Sequence, residues 1–310
     1  MESFLVAVNK LSVLALLVFF GWIIQKKHLV AESFVDNIIN YLIKFAMPIT
    51  IISSLQVDFS KEMLINGGVL IIAYALTLIV NIIIGYISSG FLKITRFRRG
   101  VWIYDFMLSN AVYVGIPVLL AIFGQGIMFY ATIINLISNL FTFTIGAYIS
   151  ASFGVEGMGE TNFVKLLLTP LNASIVIGIL LMLLRIKLPG IIGNSFGYIA
   201  DTAVPMSMIY IGMVLGKDSV KSFLGDKQAY LLSAIRLLVL PLAAYVIFSF
   251  ILKDKEILGT IVVTLAMPAP AMGAVFAGQF GADKEFASKV VFLTTLFCIV
   301  TIPFVSMLFT

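Results

Sequence analysis

The sequence predicts an all-α polytopic membrane protein: ten transmembrane helices in two inverted five-helix repeats, with the fourth and ninth helices broken. Three observations carry this. The 310 residues are 61% hydrophobic and 11% charged, with a mean hydropathy of +1.12, more apolar side chains than a soluble core of that size can hide. The apolar runs are roughly 20 residues long, enough to cross a hydrocarbon core as helices, and they lack the alternation of barrel strands. Two of the runs are interrupted near their middles by helix-breaking residues, and irregular backbone at membrane depth is tolerated only where protein buries it or it lines a cavity.

Taken in order, the first span, 4–24, has no basic stretch before it and no small-residue cleavage site after it, so it reads as a retained helix and not a signal peptide. Lys10 sits near its outer edge, where a lysine snorkels. Lys26, Lys27 and His28 close the span. Span 33–55 carries Lys44 and a mid-helix Pro48; span 65–92 is uniformly apolar and ends before Lys93, Arg96, Arg98 and Arg99. Span 100–123 holds Asp105 and the first interruption, Ser109-Asn110-Ala111-Val112-Tyr113-Val114-Gly115-Ile116-Pro117. Span 126–151 places Asn135 and Asn139 four apart on one helix face, with Ser138 beside them. Such a polar stripe is interhelical glue or a cavity wall.

The Gly-rich link 152–162 is the midpoint, expected on the cytoplasmic side. Span 163–184 follows, then 191–215 with Asp201 and Pro205, and 228–252 with Arg236. Span 257–280 holds the second interruption, Ala266-Met267-Pro268-Ala269-Pro270-Ala271-Met272-Gly273, and span 286–309 contains Cys298. Lys and Arg concentrate in the odd-numbered loops, which places both termini outside the cytoplasm of a cell inner (plasma) membrane. The same placement in short loops explains the net charge of +5 without a nucleic-acid partner.

A constant offset of 157 (205 − 48) lays Pro48 on Pro205, Tyr41 on Tyr198, Gly124 on Gly281, and the first interruption on the second. Five spans is an odd number, so the second copy enters the membrane upside down, and residues 1–151 and 163–310 form the two repeats. Lys44 and Asp201 become equivalent positions of opposite sign, able to form an ion pair or a gate. At the interruptions Gly115, Pro117, Pro268 and Pro270 weaken the helix, and Asn110 offers amide groups to a substrate or to freed carbonyls. If the second half of each broken helix starts near the midplane, two positive dipole ends face one site, which favours an anion. Asp105 is a candidate for coupling or for pairing with Arg99; Arg236 attracts an anion or snorkels.

The chain resembles a bacterial member of the auxin efflux carrier family. The resemblance rests on Ser109-Asn110 followed by Gly115-Ile116-Pro117-Val118, and on Ala266-Met267-Pro268 through Gly278-Gln279-Phe280-Gly281-Ala282-Asp283. It implies a fold similar to bile acid symporters and sodium/proton antiporters. Helices one, two, six and seven would form a scaffold that dimerises through helices two and seven, and the other six a transport domain whose fourth and ninth helices cross at the substrate. It also implies an elevator-like secondary transporter of a small organic anion, chiefly a carboxylate, working in efflux. The implied substrate site is Asn110, Gly115, Pro117, Met267, Pro268, Pro270, Met272 and Gly273, with Asn139 beside the crossover. Coupling or gating falls to Asp105, Lys44, Asp201 and Arg236, and the coupling ion is H+, Na+ or none. Where relatives often place a second amide in the later break, this chain has Ala271-Met272-Gly273.

One histidine and one cysteine are poor material for a metal site or for nucleophilic catalysis, and neither HExxH nor GxSxG occurs. No cofactor and no enzyme activity is expected. The competing reading is a ligand-sensing protein or channel that uses the same fold without turnover.

Overall fold

The computed structural model describes residues 13, 16–31, 33–56, 60–155, 170–217 and 225–309. The link 152–162 beyond residue 155, the opening turns of the first and sixth spans, and Lys10, Lys165 and Lys221 lie outside the described residues. Within them every regular element is a helix. In chain order these are α1 (Leu16–Lys26), α2 (33–54), α3 (Lys61–Phe91), α4 (Arg96–Met107), α5 (Ile116–Phe123), α6 (Gln125–Phe153), α7 (Pro170–Leu183), α8 (Gly190–Lys217), α9 (Lys227–Ser249), α10 (Lys255–Leu265), α11 (Met272–Gln279) and α12 (Lys284–Ser306). Four of them, α3, α6, α9 and α12, are long and apolar enough to cross a membrane individually.

Local chemistry explains where helices start. The Ser60 hydroxyl accepts from the Met63 amide at the start of α3, and Asp226, Asp254 and Asp283 cap α9, α10 and α12 by accepting amides two or three residues on. Three helices widen into a π segment that ends two residues before a proline: Leu42–Ala46 before Pro48, Ala111–Gly115 before Pro117 and Ile235–Val239 before Pro241. The proline ring would strike the carbonyl four residues back, and the wider turn moves that carbonyl aside without ending the helix. Thr142–Gly146 is also a π segment but precedes no proline. There a side chain on Gly146 would collide with the Tyr104 ring.

Glycines set the close packing. A Cβ on Gly21 would strike the Ile209 carbonyl, and one on Gly212 would strike the backbone of Val18 and Trp22, so α1 and α8 touch main chain to main chain. Gly178 of α7 lies against Leu55 at the end of α2, and Tyr41 and Thr202 hydroxyls bond at 3.1 Å between α2 and α8. The remaining helices pack on one another: Gly85 of α3 on Ile103 and Phe106 of α4, Gly100 of α4 on Phe153 of α6, and Gly259 of α10 on Phe123 of α5. At one end Arg98 joins three helices, with Nη1 3.0 Å from Asp226 and Nε 2.8 Å from Asp283. Burial works against its charge, yet Asp283 and Asp226 hold the Arg98 pKa above its ordinary value.

Candidate substrate site at the helix crossing

Both interruptions are real breaks in the helices. α4 stops at Met107, Leu108 is extended (φ −108°, ψ 146°), and helical backbone resumes at Ala111. α10 stops at Leu265, and α11 starts at Met272 after the non-helical stretch that holds Pro268 and Pro270. The first break lies upstream of where the sequence put its strongest breakers. Gly115 and Pro117 belong to the restarted helix, where the π turn before Pro117 accommodates its ring. The Gly115 amide bonds back to the Asn110 carbonyl at 2.9 Å, the five-residue closure of a π turn. The halves have 12 residues (Arg96–Met107) and 13 (Ala111–Phe123, with its π turn) in one case and 11 and 8 in the other. None reaches the roughly 20 residues needed to span alone. Each short second half ends at a glycine in left-handed conformation, Gly124 (φ 81°) and Gly281 (φ 69°).

The two breaks touch. The Asn110 amide donates to the Pro268 carbonyl at 2.9 Å, and a Cβ on Gly115 would lie 3.6 Å from Cγ of Met267. Arg236, in the π segment of α9 and only 1% exposed, ties both together. Its Nε donates to the Met267 carbonyl (3.2 Å), its Nη2 to the Ser109 hydroxyl (2.7 Å), and its Nη1 to the main-chain carbonyl of Asp105. These acceptors belong to the C-terminal ends of α4 and α10, where helical carbonyls lose their intrahelical partners and carry partial negative charge. One guanidinium therefore caps two half-helices. The Ala269 amide, also in the second break, donates to Thr294 Oγ1 of α12 at 3.0 Å.

This arrangement corrects two expectations. Arg236 does not snorkel, because the acceptors freed by the breaks hold its guanidinium inside. Asp105 does not pair with Arg99, which donates instead to Ser89 and the Tyr86 carbonyl. Asp105 is fully buried and neither carboxyl oxygen has a hydrogen-bond partner. It lies against α11: a Cβ on Gly273 would be 3.0 Å from its Oδ1 and 3.0 Å from the Tyr104 ring.

Asp105, Asn110, Gly115, Met267, Pro268, Gly273 and Arg236 thus converge, with Pro117, Pro270 and Met272 on the adjoining turns. Three candidates lie elsewhere. Lys44 and Asp201 are both exposed, and the described residues hold no ion pair between them; the pairing expected within one chain is absent. Asn139 Nδ2 donates to Asn172 Oδ1 of α7 (2.9 Å) and contacts Asn135 Oδ1 (3.2 Å), acting as interhelical glue. Beside the breaks a small apolar cleft is lined by Val18 of α1, Val114 and Val118 after the first break, Met208 of α8, and Cys298 and Ile302 of α12. Neither this cleft nor the roles of Ser109, 127 residues from Arg236, and Thr294, one helix on from Ala269, had a signal in the sequence, since each depends on how separate helices pack.

Known proteins resemble the chain in sequence along nearly its whole length. An uncharacterized transporter of Methanocaldococcus jannaschii is 24% identical over 295 residues, covering 94% of each chain. An uncharacterized transporter of Methanothermobacter thermautotrophicus is 27% identical over 302 residues, covering 94% of this chain and 95% of its own. The model of a family described as membrane transport protein matches residues 6–306. A multi-pass helical chain matched over nearly its whole length in this way belongs to the membrane transport protein family, that of the auxin efflux carriers.

Proposed function

We propose that the protein is an alternating-access carrier of a small organic anion, chiefly a carboxylate, which it binds where the two broken helices meet. The observation that carries this reading is the contact between the breaks: the Asn110 amide on the Pro268 carbonyl, with the Arg236 cation bonded to both sides. A buried guanidinium and the Asn110 side-chain amide suit a carboxylate, and the apolar cleft alongside suits its hydrocarbon part. The offset-related glycines Gly124 and Gly281, each following the helix that restarts after a break, support the reading as ten spans in two inverted copies.

In this scheme α1, α2, α7 and α8 form the scaffold and the other helices slide against it, the apolar cleft being part of the sliding surface. The exposed charges of Lys44 on α2 and Asp201 on α8 favour a homodimer through those helices, because a bare charge at mid-membrane depth is costly. The termini lie outside the cytoplasm, and an inside-negative potential drives a lone anion outward, in efflux, by about 2.3 kcal/mol per charge per 100 mV.

The test is a thermal-shift screen of monocarboxylates, dicarboxylates and aromatic acids on purified protein, followed by counterflow in proteoliposomes with each stabilising acid. Saturable exchange of a carboxylate is the expected result. Stabilisation without flux would instead identify a ligand sensor. No stabilisation by any acid would overturn the anion reading.

A further inference from the structure

We infer that Asp105 is the proton-binding site of the carrier, loaded together with the anion; the second clause rests on the function proposed above. Asp105 is the one carboxyl-bearing side chain among the buried polar residues described, and both its oxygens are without a donor. Arg236 is the nearby cation, yet three of its five N–H groups go to the main-chain carbonyl of Asp105, to Ser109 and to Met267, and none bonds the Asp105 carboxyl. The charge partner is thus present without a hydrogen bond to the carboxyl. A buried carboxylate with no donor is expensive when ionised, and a proton on Oδ1 or Oδ2 removes that charge without moving any helix.

Space for the carboxyl exists because residue 273, in the first turn of α11, is glycine. The other ionisable groups that interact with this pair are Tyr104, beside Asp105 on α4, and Tyr74 on α3, which also bonds Ser138 at 3.0 Å. Neither supplies a hydrogen bond to the carboxyl.

The charge count gives the consequence. With Asp105 ionised, its charge balances Arg236, and an arriving anion is uncompensated. With Asp105 protonated, the Arg236 charge is left for the anion. Anion and proton therefore bind with positive linkage, each strengthening the other by the same factor. For a monoanion the loaded carrier gains no net charge, so the potential that expels a lone anion does not drive this proton-linked step. The direction of the proton-linked step follows the anion and proton gradients, in place of the voltage-driven efflux of an anion alone.

The experiment uses the full-length protein in nanodiscs, in sodium-free buffer. Infrared spectroscopy across pH, without ligand, is expected to show a buried carboxyl band that titrates in the wild type, is lost in Asp105→Asn and returns in Asp105→Glu. Retention of a titrating band in Asp105→Asn, or titration that appears only with sodium, would overturn the assignment, and melting curves establish that each variant is folded. Calorimetry with benzoate and malonate, in two buffers of different ionisation enthalpy, then counts protons. Above the titration midpoint the expected result is about one proton taken up per benzoate bound, with affinity falling about tenfold per pH unit, and neither effect in Asp105→Asn. Benzoate or malonate binding without proton uptake would overturn the linkage. Failure of every acid in the thermal screen would count against the anion reading, while the infrared titration still decides Asp105.

Discussion

Arg236 sits between three acceptors that no stretch of helix could provide alone. A guanidinium has five N–H donors in a fixed fork, so it can serve the ends of two half-helices and the Ser109 hydroxyl at once. Arg236→Met removes the charge and leaves two main-chain carbonyls and a hydroxyl without donors in a dry site. The expected loss is about 3–5 kcal/mol of unfolding free energy, read as a lowered melting temperature in detergent. Arg236→Lys keeps the charge but cannot reach three acceptors in different directions, and is expected to fall between Met and wild type. A Lys variant as stable as wild type would show that the charge alone matters. The sequence identified Arg236 and Asp105 as intramembrane charges but left two alternatives open for each, and of these the structure removes snorkelling for Arg236 and pairing with Arg99 for Asp105. Periodicity reports which face a residue occupies, whereas Arg236 finds its acceptors on α4 and in the second break, 31 to 131 residues away.

The helices themselves were largely legible, because apolar runs of membrane length and capping aspartates are local signals. Break positions were less so. Gly115 and Pro117 mark a weak point, yet the helix stops at Met107, since the contact with Pro268 draws the chain out at Leu108 to Asn110. Proline tolerated by a π turn does not break a helix, as Pro48 and Pro241 also show. Two predictions belong at this scale. Gly212→Leu forces a side chain into the backbone of α1 and is expected to destabilise by about 1–3 kcal/mol; unchanged melting would mean that α1 does not hold to α8. The Asn139 to Asn172 bond joins α6 to α7. A double-mutant cycle with Asn139→Ala and Asn172→Ala is expected to give a coupling of about 0.6 kcal/mol, the usual size inside a membrane. Strictly additive melting effects would remove that bond from the account.

At the scale of the molecule, a positive-φ glycine follows each restarted helix, Gly124 after α5 and Gly281 after α11. That the two broken helices meet was expected from the dipole argument and the family resemblance, whereas the atoms that join them, the Asn110 main-chain amide and the Pro268 carbonyl, were not legible, because they depend on how α4 and α10 are carried together by α3, α6 and α12. The account as a whole depends on that contact lying on the transport path. In a background where Cys298, the single cysteine, is replaced by Ser, Met267→Cys places one thiol beside Gly115 at the crossing and leaves the carbonyl that Arg236 holds in place. Counterflow of the stabilising acid is then measured before and after labelling with a small methanethiosulfonate, with and without the acid present, and again after reduction. Labelling is expected to halt exchange, the bound acid to slow labelling, and reduction to restore flux. Full exchange by the labelled protein would contradict a transport path through the contact.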